Sequence, residues 1–217
     1  TINECLDMSA KPKPKMSDVE LDARHAEKMA KKKAARDKII ASKTLEKGLL
    51  IVHTGKGKGK STAAMGLAVR AIGNGMKVGI VQFVKGVWET GERAVLDKFP
   101  DLCVITAMGE GFSWETQDRQ RDIAAAESAW GKAKEMIADE AFDMVILDEL
   151  NIPLRYDNLD VNDVVETITE RRAKLHVVIT GRNAKEEILD IADLVTEMTM
   201  VKHPFREGVK AQKGIEF

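Results

Sequence analysis

TGKGKGKS, residues 54–61, alternates three glycines with three lysines and closes on a hydroxyl. Clustered lysines repel one another and glycine costs backbone entropy, so the combination needs an anion to hold it together. The stretch follows the apolar run LLIVH (49–53) and opens a helix-forming segment from Ser61 to Ile72, which stops at Gly73–Asn74–Gly75. Between a strand and a helix, Gly55, Gly57 and Gly59 allow consecutive backbone N–H groups to converge on phosphate, and the helix N-terminus adds its positive dipole end. Thr54, Lys56, Lys58 and Thr62 complete the expected nucleotide-binding loop; within it Lys60 reaches between phosphates and the Ser61 hydroxyl ligates Mg2+. The strict pattern is G-x-x-x-x-G-K-S/T, and Thr54 stands where its first glycine would be.

A second half of such a site is written in MVILDEL (144–150), which puts Asp148 and Glu149 at the end of a buried strand, as in a Walker-B segment. In a parallel sheet the carboxyl ends of the strands line the ligand crevice, so these acids face the loop and hold the metal directly or through water. Further strand-length apolar runs occur at 78–84, 103–106 and 177–180, with a weaker one at 194–198. Helical patterns lie between them. Ile123, Ala126, Trp130, Ala133 and Ile137 recur at helical spacing within 118–138; Asp160 is placed to cap a helix through Val161, Val164, Val165 and Ile168; Asn183 with Glu186 reads as a capping box. This alternation predicts an α/β fold of the phosphate-loop NTPase (RecA-like) kind, a mainly parallel sheet with helices on both faces.

The first 47 residues differ. Residues 1–17 contain SAKPKPKMS and read as a flexible segment. Residues 18–47, rich in Ala, Lys, Arg and Glu with a thin apolar stripe, read as a basic helical arm, and 48–217 as the nucleotide-binding domain. Charged residues make up 32% of the chain yet leave a net charge of −1, and aromatics are only 5%, which argues against nucleic acid as a partner. Cys5 and Cys103 suggest no disulfide framework. No apolar run approaches membrane-spanning length, and the N-terminus lacks a signal-peptide core, so the expected location is cytoplasmic, away from membranes.

Three more stretches narrow the chemistry: VQFVKGVWETGE (81–92), GEGFSWETQDR (109–119) and VKHPFREGVKAQKGIEF (201–217). Together with TGKGKGKS, ILDELN and ITGRN, they resemble the ATP:corrinoid adenosyltransferases of the CobA/CobO/BtuR type from about Ala23 to Phe217. The resemblance implies that a corrinoid reduced to cobalt(I) attacks the ribose 5′ carbon of ATP, forming a cobalt–carbon bond and releasing triphosphate. Lys60, the loop amides and Mg2+ then stabilise the leaving group, and no general base is required, so His53, His176 and His203 are given no catalytic role. Phe112 and Trp114, by the same resemblance, line the corrinoid and help displace its lower axial ligand. Arg182 is expected on the phosphates; Lys85 and Glu92 line the site; Trp88 covers the nucleotide or packs; Asn151 positions the acids. The substrate is cobalamin, cobinamide or cobyrinic acid a,c-diamide, the electron donor a reduced flavoprotein, and the assembly a homodimer. Two other readings share the loop: an NTPase or kinase that cleaves between phosphates, and a non-catalytic carrier of the adenosylated corrinoid.

Overall fold

The structure is a computed structural model that describes residues 16–84, 91–107 and 118–215. The chain divides into two units, Thr1–Glu46 and Lys47–Phe217. In the first, helix α1 (Asp18–Ala41) begins at a complete capping box, in which the Ser17 hydroxyl accepts from the Glu20 amide and the Glu20 carboxylate accepts from the Ser17 amide. The helix stops at Ala41, short of the residue 47 expected from composition. Leu21, Met29, Ile39 and Ile40 are exposed along it. The segment SAKPKPKMS falls almost wholly outside the described residues.

The second unit is built on six parallel strands: β1 (Leu50–Thr54), β2 (Val78–Gln82), β3 (Cys103–Ala107), β4 (Met144–Asp148), β5 (His176–Thr180) and β6 (Leu194–Glu197). Their order across the sheet is β3-β2-β4-β5-β1-β6. All the strand runs read from sequence form strands. Between them lie α2 (Lys60–Ile72), α3 (Gly91–Leu96), α4 (Arg119–Ala138), α5 (Asn151–Arg155), α6 (Val161–Thr169) and α7 (Glu186–Asp190), with a 3-10 turn at Pro204–Glu207 after β6.

The continuous apolar character of the central strands has a simple cause: both faces of the sheet are covered. Successive residues divide between two cores. Ile51, Ile80, Ile146 and Val178 pack with Ala64, Met65 and Ala68 of α2 on one face. Leu50, Val52, Leu147 and Ile179 pack on the other with Ala129, Trp130 and Ala133 of α4, Val164 and Ile168 of α6, and Ile188 of α7. Each fully buried aliphatic side chain contributes about 1.5–3 kcal/mol. Asp160 caps α6 through Asn162, as its position in sequence predicted, and Asp118 caps α4 through the amides of Gln120 and Arg121.

One expected cap is corrected. Asn183 does not begin a helix; it adopts a left-handed φ of 54°, and α7 starts at Glu186 after Lys185 with no side-chain cap. Asparagine tolerates the left-handed region, so the chain turns there after β5 instead of entering a helix.

The connection leaving β1 crosses β5 and β4 under α2, whereas the connections leaving β4 and β5 run over the opposite face. Adjacent strands β1 and β5 therefore send their chains to opposite sides, which opens a crevice at their carboxyl ends.

Candidate active site

That crevice is a cavity of about 420 Å³, within the range of small-molecule sites. Gly57, Lys58, Gly59, Lys60, Ser61 and Thr62 line one side; Glu149 and Arg182, from the turns after β4 and β5, line another. The loop glycines, the lysine, the hydroxyl, the acid and the arginine predicted to act together are thus brought to one place. Glu92 also lines the cavity. Phe112, Trp114, Lys85 and Trp88 lie outside the described residues.

The loop is more constrained than its glycine content suggested. The segment following β6 lies against it: the Gly57 amide donates to Met198 O at 2.6 Å, and the Met198 amide donates to Thr54 O at 2.9 Å. A Cβ on Gly57 would sit 2.7 Å from the carbonyl oxygens of both Met198 and Thr199, so glycine is required for close backbone approach. One amide expected to face phosphate is therefore already engaged. Gly55, with φ of 97°, supplies the turn out of β1 that only glycine adopts readily.

Thr54 ends β1 as a buried strand residue, and its hydroxyl accepts from the Ala184 amide at 3.1 Å. The departure from the strict pattern thus ties the start of the loop to the turn carrying Arg182. Neither Thr54 nor Gly55 lines the cavity, and Lys56 is exposed away from it.

Lys60 is 6% exposed, and its ammonium donates to Gly55 O at 3.0 Å and Gly57 O at 2.7 Å. Burial pushes its pKa below the ordinary lysine value; Glu149 opposes that shift, while Arg182 and Lys58 add to it and Asp148 opposes it more weakly. Three cations thus converge around a partly desolvated pocket, an arrangement that favours a polyanionic ligand.

The two acids have different surroundings. Asp148 is fully buried, its Oδ1 accepting from the Thr180 hydroxyl at 2.8 Å and its Oδ2 from the Gln82 amide at 3.3 Å. Glu149 lines the cavity and holds a left-handed φ of 63°, rare for its residue type. Its amide donates to the Thr180 hydroxyl at 2.8 Å. Asn151 follows two residues on, and its side-chain amide donates to Gly181 O at 2.9 Å. It therefore secures the Arg182 turn, a partner different from the acids expected for it.

Sequence reading missed Arg155 and Tyr156 on the cavity wall, and the buried polar residues Gln82 and Thr180 that bond Asp148. Arg155 and Tyr156 follow Glu149 by only one to two helical turns, which was an available signal. His53 is 7% exposed with neither ring nitrogen hydrogen-bonded, and burial lowers its pKa. His176 accepts the Leu49 amide at the far edge of the sheet, and His203 caps the 3-10 turn.

Comparison with known proteins adds what geometry cannot. The family described as ATP:corrinoid adenosyltransferase BtuR/CobO/CobP matches residues 46–217, and the one described as Cob(I)alamin adenosyltransferase N terminal matches 16–40. A corrinoid adenosyltransferase of a Sinorhizobium species is 62% identical over 198 residues, covering 90% of this chain and 92% of that protein. The corrinoid adenosyltransferase of Pseudomonas aeruginosa is 53% identical, covering 91% and 98%. That of Escherichia coli K12 is 46% identical over 196 residues, covering 90% and 99%. Among solved structures, the flagellar accessory protein FlaH from Methanocaldococcus jannaschii overlays with a TM-score of 0.44 at 16% identity, over 72% of this chain and 73% of that one, a likeness too distant to bear on the site. With nearly the whole length matched at such identity, the chain belongs to the ATP:corrinoid adenosyltransferase family.

Proposed function

We propose that the cavity at the carboxyl ends of β1, β4 and β5 holds the triphosphate of ATP while its 5′-deoxyadenosyl group passes to a reduced corrinoid. The reaction is a displacement at carbon: the cobalt(I) electron pair forms the cobalt–C5′ bond, the C5′–O bond breaks, and triphosphate leaves with that electron pair. Charge grows on the leaving oxygen, so groups aimed at the triphosphate lower the barrier. The observation that carries this reading is the convergence of Lys60, Lys58, Arg182 and Ser61 on one cavity. Lys60 exchanges its loop carbonyls for phosphate oxygens, the remaining loop amides and Thr62 orient the chain of phosphates, and Arg182 meets them from the opposite wall.

The donor set also fits Mg2+. Ser61 and Glu149 offer hard oxygen ligands on the same cavity, and Mg2+ prefers one or two such protein ligands completed by phosphates and water. When bound, the ion would neutralise charge on the departing triphosphate. Asp148 would act from behind, fixing the strand end through Thr180 and Gln82.

Phe112 and Trp114 are proposed to wall the corrin ring and favour loss of its lower ligand. Cobalamin, cobinamide or cobyrinic acid a,c-diamide serves as acceptor, a reduced flavoprotein as donor, and two copies as the working unit, in the cytoplasm. Sequence balance of charge supports a role apart from nucleic acid. No helix among the described residues is long and apolar enough to cross a membrane.

The test is anaerobic incubation with MgATP and chemically prepared cob(I)alamin, followed by absorbance and by identification of the phosphate product. Adenosylcobalamin with equimolar triphosphate is expected; orthophosphate released without corrinoid would overturn the reading in favour of an NTPase. Trp114→Ala should slow the reaction starting from cobalt(II) far more than that from cobalt(I), and equal losses would reduce Trp114 to packing.

A further inference from the structure

Glu149 presents a physical problem that the reaction itself does not answer. A non-glycine residue at φ 63° costs free energy, and such strain persists only where its surroundings over-determine it. Two hydrogen bonds act on Glu149 itself: the Ile152 amide donates to its carbonyl oxygen at 3.0 Å, and its own amide donates to the Thr180 hydroxyl at 2.8 Å. Thr180 Oγ1, fully buried at the end of β5, has a single proton, which it donates to Asp148 Oδ1 at 2.8 Å; the same oxygen accepts the Glu149 amide at 2.8 Å. Donor and acceptor functions are thus assigned without ambiguity, and both bonds point at consecutive residues of the β4 turn. Register pairing aligns β5 with β4 through Leu147↔Ile179, directly before the residues concerned. A second bond, from Asn151 Nδ2 to Gly181 O at 2.9 Å, staples the same two turns one residue further on.

We propose that Thr180 is a positioning residue for the nucleotide site: its hydroxyl, shared between Asp148 and the Glu149 amide, holds Glu149 in the left-handed conformation that presents its carboxylate to the cavity opposite Lys60 and Ser61. The inference rests on the reading of this cavity as the MgATP site. Thr180 touches no substrate; it acts through Glu149, and its effect appears where Glu149 acts, on metal-assisted binding of the triphosphate.

The experiment is calorimetric titration of ATP into the full chain, with and without Mg2+, for the parent protein, Thr180→Val, Thr180→Ser, Glu149→Gln and the Val/Gln double variant. Thr180→Val keeps the shape and removes both hydrogen bonds. It should weaken MgATP binding by about tenfold or more, as loss of a partner that orients a metal ligand does, while changing metal-free ATP binding by less than about threefold. Thr180→Ser should restore MgATP binding to within about threefold of the parent, and Thr180→Val should cost little further in the Glu149→Gln background. Equal losses with and without Mg2+, or full additivity with Glu149→Gln, would overturn the proposal. A parent protein that binds no ATP under either condition would overturn the site reading and this inference together, an outcome distinct from both. Should Thr180→Val fail to fold, thermal melts of Glu149→Gly and Glu149→Ala give an independent answer. Glycine relieves the left-handed strain and alanine does not, so Glu149→Gly should melt higher; equal or reversed melting would show that no strain is held there, against the proposal.

Discussion

Both edges of the parallel sheet carry charged side chains, and the two sets have different surroundings. At the amino edge the cations close on carbonyls and a carboxylate at the strand starts. Arg171 donates to Leu175 O, Ile168 O and Gly48 O at 3.2, 2.7 and 3.0 Å and lies 3.8 Å from Asp193. Asp193 pairs with Lys47 and accepts the Leu50 amide at 2.9 Å, while Arg172 donates to Phe142 O and Asp139 O. The orphan backbone groups at the strand starts thereby find partners, and cations are balanced by carbonyls and a carboxylate. At the carboxyl edge Lys60, Lys58 and Arg182 meet at one cavity, where burial pushes the Lys60 pKa down, Glu149 opposes the shift, and Arg182 and Lys58 add to it. Position relative to chain direction separates the two: strand starts need closing off, and strand ends gather the loops that carry chemistry.

Substitutions at each edge sharpen this contrast. The largest effect belongs to Lys60→Ala, which should lower turnover by about 10²- to 10³-fold, the range for loss of one group that stabilises developing negative charge. Its thermal midpoint should fall only modestly, because Gly55 O and Gly57 O lose a donor while a desolvated ammonium is removed with it. Unchanged kinetics would remove the loop from the mechanism and erase the distinction between edges. Arg171→Met should do the reverse. Three carbonyls lose their donor in a half-buried setting, so stability should fall by roughly 3 kcal/mol, read by urea unfolding, while adenosyl transfer by the folded protein persists. A full-strength Arg171→Met protein would mean that the amino edge is held by strand packing alone.

The smallest effect is one of pH. The Asp193 carboxyl is held below its ordinary pKa, first by the hydrogen bond from Lys47 and next by the Leu50 amide. A carboxyl depressed in the folded state contributes stability that is fully present above the unfolded value of about 3.9, and that contribution is lost as pH falls through the folded value. Asp193→Asn should therefore flatten the acid side of a melting-temperature profile and leave adenosyl transfer at neutral pH intact. An unaltered acid limb would assign it to other carboxylates.

What sequence conveyed depended on how local the cause was. Periodicity and composition act over a few residues, so the six strands, α4 and α6 with its Asp160 cap were legible. The phosphate loop and the acids after β4 were legible because glycine, lysine and carboxylate have few other reasons to occur at those places. The Asn183 turn was misread because asparagine serves both as a cap and as a left-handed residue, and only the path of the chain after β5 decides between them. Met198 lies 144 residues from Thr54, Thr180 lies 31 from Glu149, and no spacing rule connects such pairs. The division of labour between Asp148 and Glu149 was hidden for the same reason: adjacent letters diverge when one is buried against β5 and the other turns outward.

The contact between Gly57 and Met198 also sets an order of events for a chain still being made. Strand β1 leaves the ribosome early, but its neighbours are β5 and β6, the last two strands synthesised. At 5–20 residues per second the loop waits roughly 7–30 s for the segment that braces it. During that interval the glycine-rich stretch has neither its backbone latch nor its flanking strands. Competence to grip nucleotide thus arrives close to the end of translation, and a chain cut short before Met198 would carry the whole phosphate-binding motif with nothing to hold it in shape.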